Sequence, residues 1–162
     1  MRSSADTSTP ALLAQAARVV AETAQGRALD DALADSSPKG FARSSLQAIA
    51  YGTVRWYPRL SLWVGMLARR EDIHPLIRAL LCVGLHQLEF SRHPHHAIGH
   101  AAVEAARLLQ QTRAAGFVNA VLRSFLRDRE RLRERVMQDP VGRFAHPRWL
   151  IDAMRASWPG EW

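Results

Sequence analysis

Residues 73–88, IHPLIRALLCVGLHQL, decide the fold class. Their apolar positions, Ile73, Leu76, Ile77, Leu80, Leu81, Gly84, Leu85 and Leu88, recur at the i, i+3, i+4, i+7 spacing of one buried helical face. The pattern extends in both directions. Downstream come Ile98, Ala101, Ala102, Ala105, Ala106 and Leu109, then Val118, Val121, Leu122 and Phe125. Upstream come Leu60, Trp63, Val64 and Leu67; Leu46, Ile49, Ala50, Val54 and Tyr57; and Leu12, Ala16, Val19 and Thr23. The period-two alternation of a half-buried strand is nowhere sustained. The expected fold is all-α, a bundle of about seven helices plus a short C-terminal helix.

Helix boundaries follow from local chemistry. Thr9-Pro10 reads as an N-cap followed by proline at the first helical position. Gly26 suits the end of the first helix, and Leu29, Ala32 and Leu33 make a short second one. Ser37-Pro38-Lys39-Gly40 is a loop. Pro58 either separates two helices or kinks a single long one. Pro75 opens the next helix, His93-Pro94 closes it, and Gly116 breaks the following pair. Asp139-Pro140 and His146-Pro147 lead to a terminal helix over 148–157. The expected organisation is a disordered arm at 1–9, a helical domain at 10–137 and a connector at 138–162.

Composition narrows the function classes. At 162 residues, with 48% hydrophobic and 23% charged, the chain is long enough for a self-sufficient core. The longest apolar run, Ala79 to Leu85, is far short of the ~18 residues that span a bilayer. The N-terminal MRSSADTSTP has no apolar stretch behind Arg2, which argues against a secretory signal. A single cysteine, Cys82, precludes an internal disulfide, and a cytoplasmic site without membrane contact is the expectation. Twenty-two basic residues against fifteen acidic give +7, and all the basic ones except Lys39 are arginine. That balance favours an anionic partner, most simply RNA or DNA.

Candidate chemistry is sparse. His96, His100 and Glu104 share a helical face at a spacing that suits metal ligands, with His93 and His95 nearby. The HExxH pattern is absent, and the competing reading is a solvent-facing helix N-terminus. Cys82 falls on the most apolar helix, where a thiol is inert. No glycine-rich phosphate loop follows a strand. The basic window Arg123, Arg127, Arg129, Arg131, Arg133 and Arg135 is interleaved with Asp128, Glu130 and Glu134. Helical spacing lets Glu130 reach Arg127 and Arg133, and lets Asp128 and Glu134 reach Arg131. The window is therefore either a self-paired solvated face or an RNA-facing one. Trp56 and Trp63 lie on or beside apolar stripes, and Trp149 and Trp158 flank the terminal helix, which suits core or docking roles better than base stacking.

Several segments together resemble the NusB-like helical domain. They are Tyr51-Gly52-Thr53-Val54-Arg55-Trp56, Arg78-Ala79-Leu80-Leu81 through Gly84-Leu85-His86-Gln87-Leu88, His95-His96-Ala97-Ile98, and Phe117-Val118-Asn119-Ala120-Val121-Leu122-Arg123. Order and spacing match from about residue 10 to residue 132. Two branches share this fold: a free-standing transcription antitermination factor, and the N-terminal domain of bacterial rRNA 5-methylcytosine methyltransferases. The stretch from His146-Pro147-Arg148-Trp149-Leu150 to Trp158-Pro159-Gly160-Glu161-Trp162 resembles the connector into the methyltransferase domain, and Arg123 replaces an acidic residue typical of the free factor. The resemblance implies a non-catalytic RNA-binding or substrate-positioning part of an enzyme that methylates a cytosine of small-subunit rRNA. It further implies that the S-adenosylmethionine pocket and the nucleophilic cysteines lie in a C-terminal methyltransferase domain outside this chain. A docking module that touches RNA little is the competing role. Two departures stand out. Pro10, Ala11 and Leu12 replace the arginine-rich start of the first helix, and Gly99-His100 stands where a polar residue followed by Glu is more usual.

The expected RNA contacts are Arg123 and Arg127 first, then Arg113, then Arg18 if the first helix lies beside the one carrying Arg123. All four are expected to touch phosphates rather than bases. The arginines beyond Arg127 have more acidic competition. Asn119 is expected to be structural, its amide hydrogen-bonded to a neighbouring helix or loop.

Overall fold

The computed structural model describes residues 8–36 and 41–161, with Phe41 by its backbone alone. Among the described residues there are nine α-helices, one 3₁₀ turn and no strand, so the chain is all-α. The helices are α1 (Thr9–Ala24), α2 (Leu29–Ala34), α3 (Phe41–Ala68), α4 (Pro75–Phe90), α5 (His95–Leu108), α6 (Ala115–Arg127), α7 (Arg129–Gln138), α8 (Pro140–Phe144) and α9 (Arg148–Ser157).

Helix α4 is the axis of the bundle. Its stripe is buried from Ile77 onward, with Leu76 half-buried and Ile73, also half-buried, before the helix start, but Ala79, Cys82 and Val83 on the other side are buried as well. A helix that is apolar all round needs neighbours all round. Here α1, α3, α5 and α6 surround it. The expectation of a single buried face is thus too narrow. Two crossings are close because glycine permits them. A Cβ on Gly84 would sit 3.1 Å from the Leu122 side chain of α6, and one on Gly52 would sit 2.6 Å from the His86 ring.

Several boundaries differ from the sequence expectation. The first helix starts one residue early: Ser8 is the N-cap, its hydroxyl accepting from Ala11 N–H, and Pro10 follows Thr9 in the first turn. Residues 1–7 of the expected arm and the Ser37–Gly40 loop lie outside the described residues. Pro58 does not separate two helices; α3 runs through it. Gly116 lies inside α6, and the break before that helix is made by Gln110 at φ 59° and the 3₁₀ turn Thr112–Ala114. Past Arg127 the chain forms two further helices, α7 and α8, before the terminal one.

Helix α3 anchors this C-terminal part. Trp63 Nε1 donates to the Leu132 carbonyl at 3.1 Å, and the indole packs on Phe125 with centroids 5.0 Å apart. Arg59 lies over the Trp56 ring and donates to the Gly142 and Arg143 carbonyls at 2.6 and 3.0 Å, satisfying the last carbonyls of α8. Asp139 caps the start of α8 and accepts from Arg148 at 3.0 Å, which ties α9 to it.

The α3–α4 contact is sensitive to small changes. Gly52→Ala is expected to destabilise the fold by about 1–3 kcal/mol, because the His86 ring must shift to admit the methyl; urea unfolding measures it. Burial also holds the His86 imidazole down to about 4. The unfolded chain therefore takes up a proton that the folded one refuses as pH falls below about 6.5. Stability present in full above that pH is lost on the way down. The melting temperature should fall from pH 7 to pH 5, and less steeply in His86→Gln.

Candidate nucleic-acid interface

Helix α6 presents its apolar stripe inward, with Val118, Val121, Leu122 and Phe125 buried and Arg123 and Arg127 exposed. The helix ends at Asp128, which serves both as its C-cap and as the N-cap of α7. This break re-aims the arginines that follow. Arg129 and Arg133 turn toward α4, where their Nε atoms donate to the two carboxylate oxygens of Glu89 at 3.1 and 2.9 Å. Arg129 also donates to the Leu88 carbonyl at 3.1 Å. The Glu89 side chain is only 12% exposed, so these bonds replace water that it has lost.

The other arginines of the window face outward. Arg127, Arg131 and Arg135 line one side of a cleft of about 310 Å³, with Arg69, Met66 and Leu67 of the α3 end on the other. Asp128 is the one carboxylate in this lining, and it lies 3.4 Å from Arg127. Arg69, Arg131 and Arg135 make no ion pair or side-chain hydrogen bond among the described residues, and neither does Arg123. Arg69 holds a left-handed backbone at φ 52°, a conformation that favours glycine. The window is therefore neither wholly self-paired nor wholly free.

The expected pairing is corrected in detail. The Glu130–Arg133 pair forms at 2.7 Å, but Glu130 does not reach Arg127, and Arg131 pairs with neither Asp128 nor Glu134. The Glu130–Arg127 and Asp128–Arg131 spacings cross the break at Asp128, where α7 is out of register with α6; nothing in the structure explains why Arg131 and Glu134, both on α7, stay apart. Arg131 and Arg135 are consequently the less contested arginines, and Arg127 is the one beside a carboxylate. Sequence reasoning passed over Arg69, Arg131 and Arg135 as contacts. The signal for the last two lies within α7, where Arg131 and Arg135 are offset by two residues from Arg129 and Arg133 and so fall on the opposite helical face.

The remaining expected residues are placed as follows. Arg113 is exposed in the 3₁₀ turn at the start of α6, about 20 Å along the helix from Arg127 at 1.5 Å per residue. Arg18 lines a separate hollow between α1 and α2, beside Glu22 and Asp35, and α1 packs chiefly on α3, α4 and α5. The arrangement does not bring it to the α6 arginines. Asn119 is half-buried, and its amide makes no hydrogen bond among the described residues, so the expected bond to another helix or loop is absent. It faces a groove between α5 and α6 instead.

The histidines of α5 are exposed, Glu104 pairs with Arg107, and no group of three metal-ligating side chains comes together among the described residues. Cys82 is fully buried, and burial pushes its thiol up to about 12. Trp63 is core, whereas Trp149 and Trp158 are 71% and 56% exposed. Among the described residues no helix is long and apolar enough to cross a membrane.

The model of the NusB family matches residues 10–127, from the second residue of α1 to the last of α6. The chain belongs to the NusB family. This NusB-family chain is 44% identical over 122 residues to the ribosomal RNA small subunit methyltransferase B of Pseudomonas syringae pv. tomato, covering 74% of the chain and 27% of the relative. Proteins of the same name match from Vibrio cholerae, at 38% over 119 residues, and Erwinia tasmaniensis, at 34% over 142 residues. These cover 72% and 85% of the chain and 27% and 33% of the relatives. The chain thus spans about a third or less of the length of these curated relatives. The arginine cleft lies at the C-terminal edge of the family match and beyond it.

The division of labour among the arginines has a measurable consequence. Glu89→Ala leaves two part-buried guanidinium groups without their carboxylate, and a stability loss of about 1–3 kcal/mol is expected. Thermal unfolding measures it.

Proposed function

We propose that this NusB-family domain binds and positions RNA for an S-adenosylmethionine-dependent rRNA (cytosine-5) methyltransferase, the small-subunit rRNA being its substrate. The observation that carries this reading is the outward row Arg127, Arg131 and Arg135, with Arg69 opposite and Arg123 one helical turn before Arg127 on α6, left without acidic partners apart from Asp128. Unpaired guanidinium groups in a row suit successive backbone phosphates, which position RNA without reading its sequence. The names of the matched relatives support the enzyme branch over a free antitermination factor. Arg123 and Arg127 are the first proposed contacts and Arg113 extends them along α6. Arg18 belongs to a different face.

The chemistry is assigned elsewhere in the intact enzyme. S-adenosylmethionine would supply the methyl group there, in the enzyme's own C-terminal methyltransferase domain. The described residues do not fit that cofactor, since no strand–glycine-loop–helix unit stands among them and the one thiol is sealed in the core. A cytoplasmic site accords with this substrate. Docking onto the catalytic domain is a second role, favoured by α9, which buries Ile151 and leaves Trp149 and Trp158 exposed.

The salt dependence of RNA binding tests the reading. Each phosphate neutralised contributes about −0.7 to the slope of log affinity against log salt for single strands. Arg123→Ala combined with Arg127→Ala should flatten that slope by about one unit or more, with the melting temperature unchanged. An unchanged slope in a folded double variant moves the RNA surface off α6. The 162-residue chain by itself should transfer no methyl group from S-adenosylmethionine to rRNA.

A further inference from the structure

Between α5 and α6, above Leu88 of α4, lies a groove of about 630 Å³, within the size range of small-ligand pockets. Leu88 and Leu122 are buried beneath it, and Val103 and Leu126 are half-buried in its walls. Its polar lining is His95, His96 and His100 of α5 with Asn119 and Arg123 of α6, and no carboxylate lines it. Two features serve no purpose inside the protein. The Asn119 amide is half-buried with no partner among the described residues. Gly99, in the α5 wall, sits mid-helix, where glycine costs about 1 kcal/mol relative to alanine. A Cβ there would meet nothing within 4 Å, and no left-handed backbone requires it. Its effect is to keep the groove open.

We propose that this groove takes one unpaired nucleotide of the bound RNA. Its base would lie on the apolar floor between the histidine rings, the Asn119 amide would meet the base edge, and Arg123 would hold the adjoining phosphate. The proposal rests on the RNA-binding reading and adds to it a preference for single strands. Three things favour a nucleotide over an apolar protein side chain. Arg123 is the one fixed charge in the lining, and with no carboxylate beside it the groove complements an anion. An amide with both donor and acceptor matches a base edge, whereas a hydrocarbon would leave it unsatisfied. Arg123 belongs both to this groove and to the arginine row, so a backbone following that row passes the groove mouth. A base held in a duplex cannot enter; one splayed out of a loop can.

The test uses the 162-residue chain, a labelled single-stranded RNA of about a dozen nucleotides, and a duplex containing the same strand, with binding read by fluorescence anisotropy. Gly99→Leu fills the groove from its open wall and should hold or raise the melting temperature, because leucine is the better helix former. It is expected to weaken single-strand binding about tenfold, with duplex binding and the salt slope unchanged. Asn119→Ala should act in the same direction, also without thermal destabilisation. Wild-type single-strand affinity in Gly99→Leu overturns the proposal and gives the groove to another occupant, such as an apolar side chain of a protein partner. Equal losses on single strand and duplex overturn it as well. If the unaltered chain binds neither RNA, the RNA-binding reading falls too; if it binds both through the arginine row and Gly99→Leu is indifferent, the nucleotide groove alone falls.

Discussion

Everything in this bundle depends on the enclosure of α4. A helix with Leu80, Leu81, Cys82, Val83 and Leu85 all withdrawn from water has no face that can be left open. Four helices must therefore surround it, and their separations are set by what α4 presents to each. Glycine at Gly84 lets Leu122 of α6 come close, while Gly52 of α3 makes room for the His86 ring. A partly buried neutral histidine is the consequence of that second fit, since burial makes its charged form costly.

The same helix also sorts the arginines. Glu89 sits one residue from the C-terminal end of α4, just where the apolar shell gives way, and is largely withdrawn from solvent. A carboxylate in that position must be paired, and the break at Asp128 swings Arg129 and Arg133 onto it. The arginines two residues on from each, Arg131 and Arg135, are thereby turned to solvent beside Arg127 and Arg69. Two arginines lock α7 to the core, and the others become available to a polyanion. The paired and the solvent-facing arginines of α7 are thus the two faces of one short helix.

The α5–α6 groove and the arginine row meet at Arg123, so the proposed phosphate and base contacts form a single surface. Helix α9 stands apart from that surface. It is held through Asp139 and Arg148 and through the burial of Ile151, and it offers its tryptophans outward. The proposed RNA surface and the proposed docking helix therefore lie on different elements.

Much of the fold was determined by the sequence itself. The periodic apolar positions located the helical stretches that became α1, α4, α5 and α6, and the residues of the α6 stripe are buried as their spacing required, because helical periodicity is a local property of about four residues. The family resemblance rested on the same stretches. What the sequence could not decide were matters of long range. Whether Pro58 ends a helix depends on packing that outweighs a lost hydrogen bond. Which arginines are paired depended on Glu89, some forty residues upstream, and on a change of helix phase at Asp128. Asn119 lacks its expected partner because it faces the groove between α5 and α6 rather than another helix or loop. The register within a helix is written in its neighbours along the chain; the partner of a charge or an amide is chosen by whichever helix the tertiary fold brings against it.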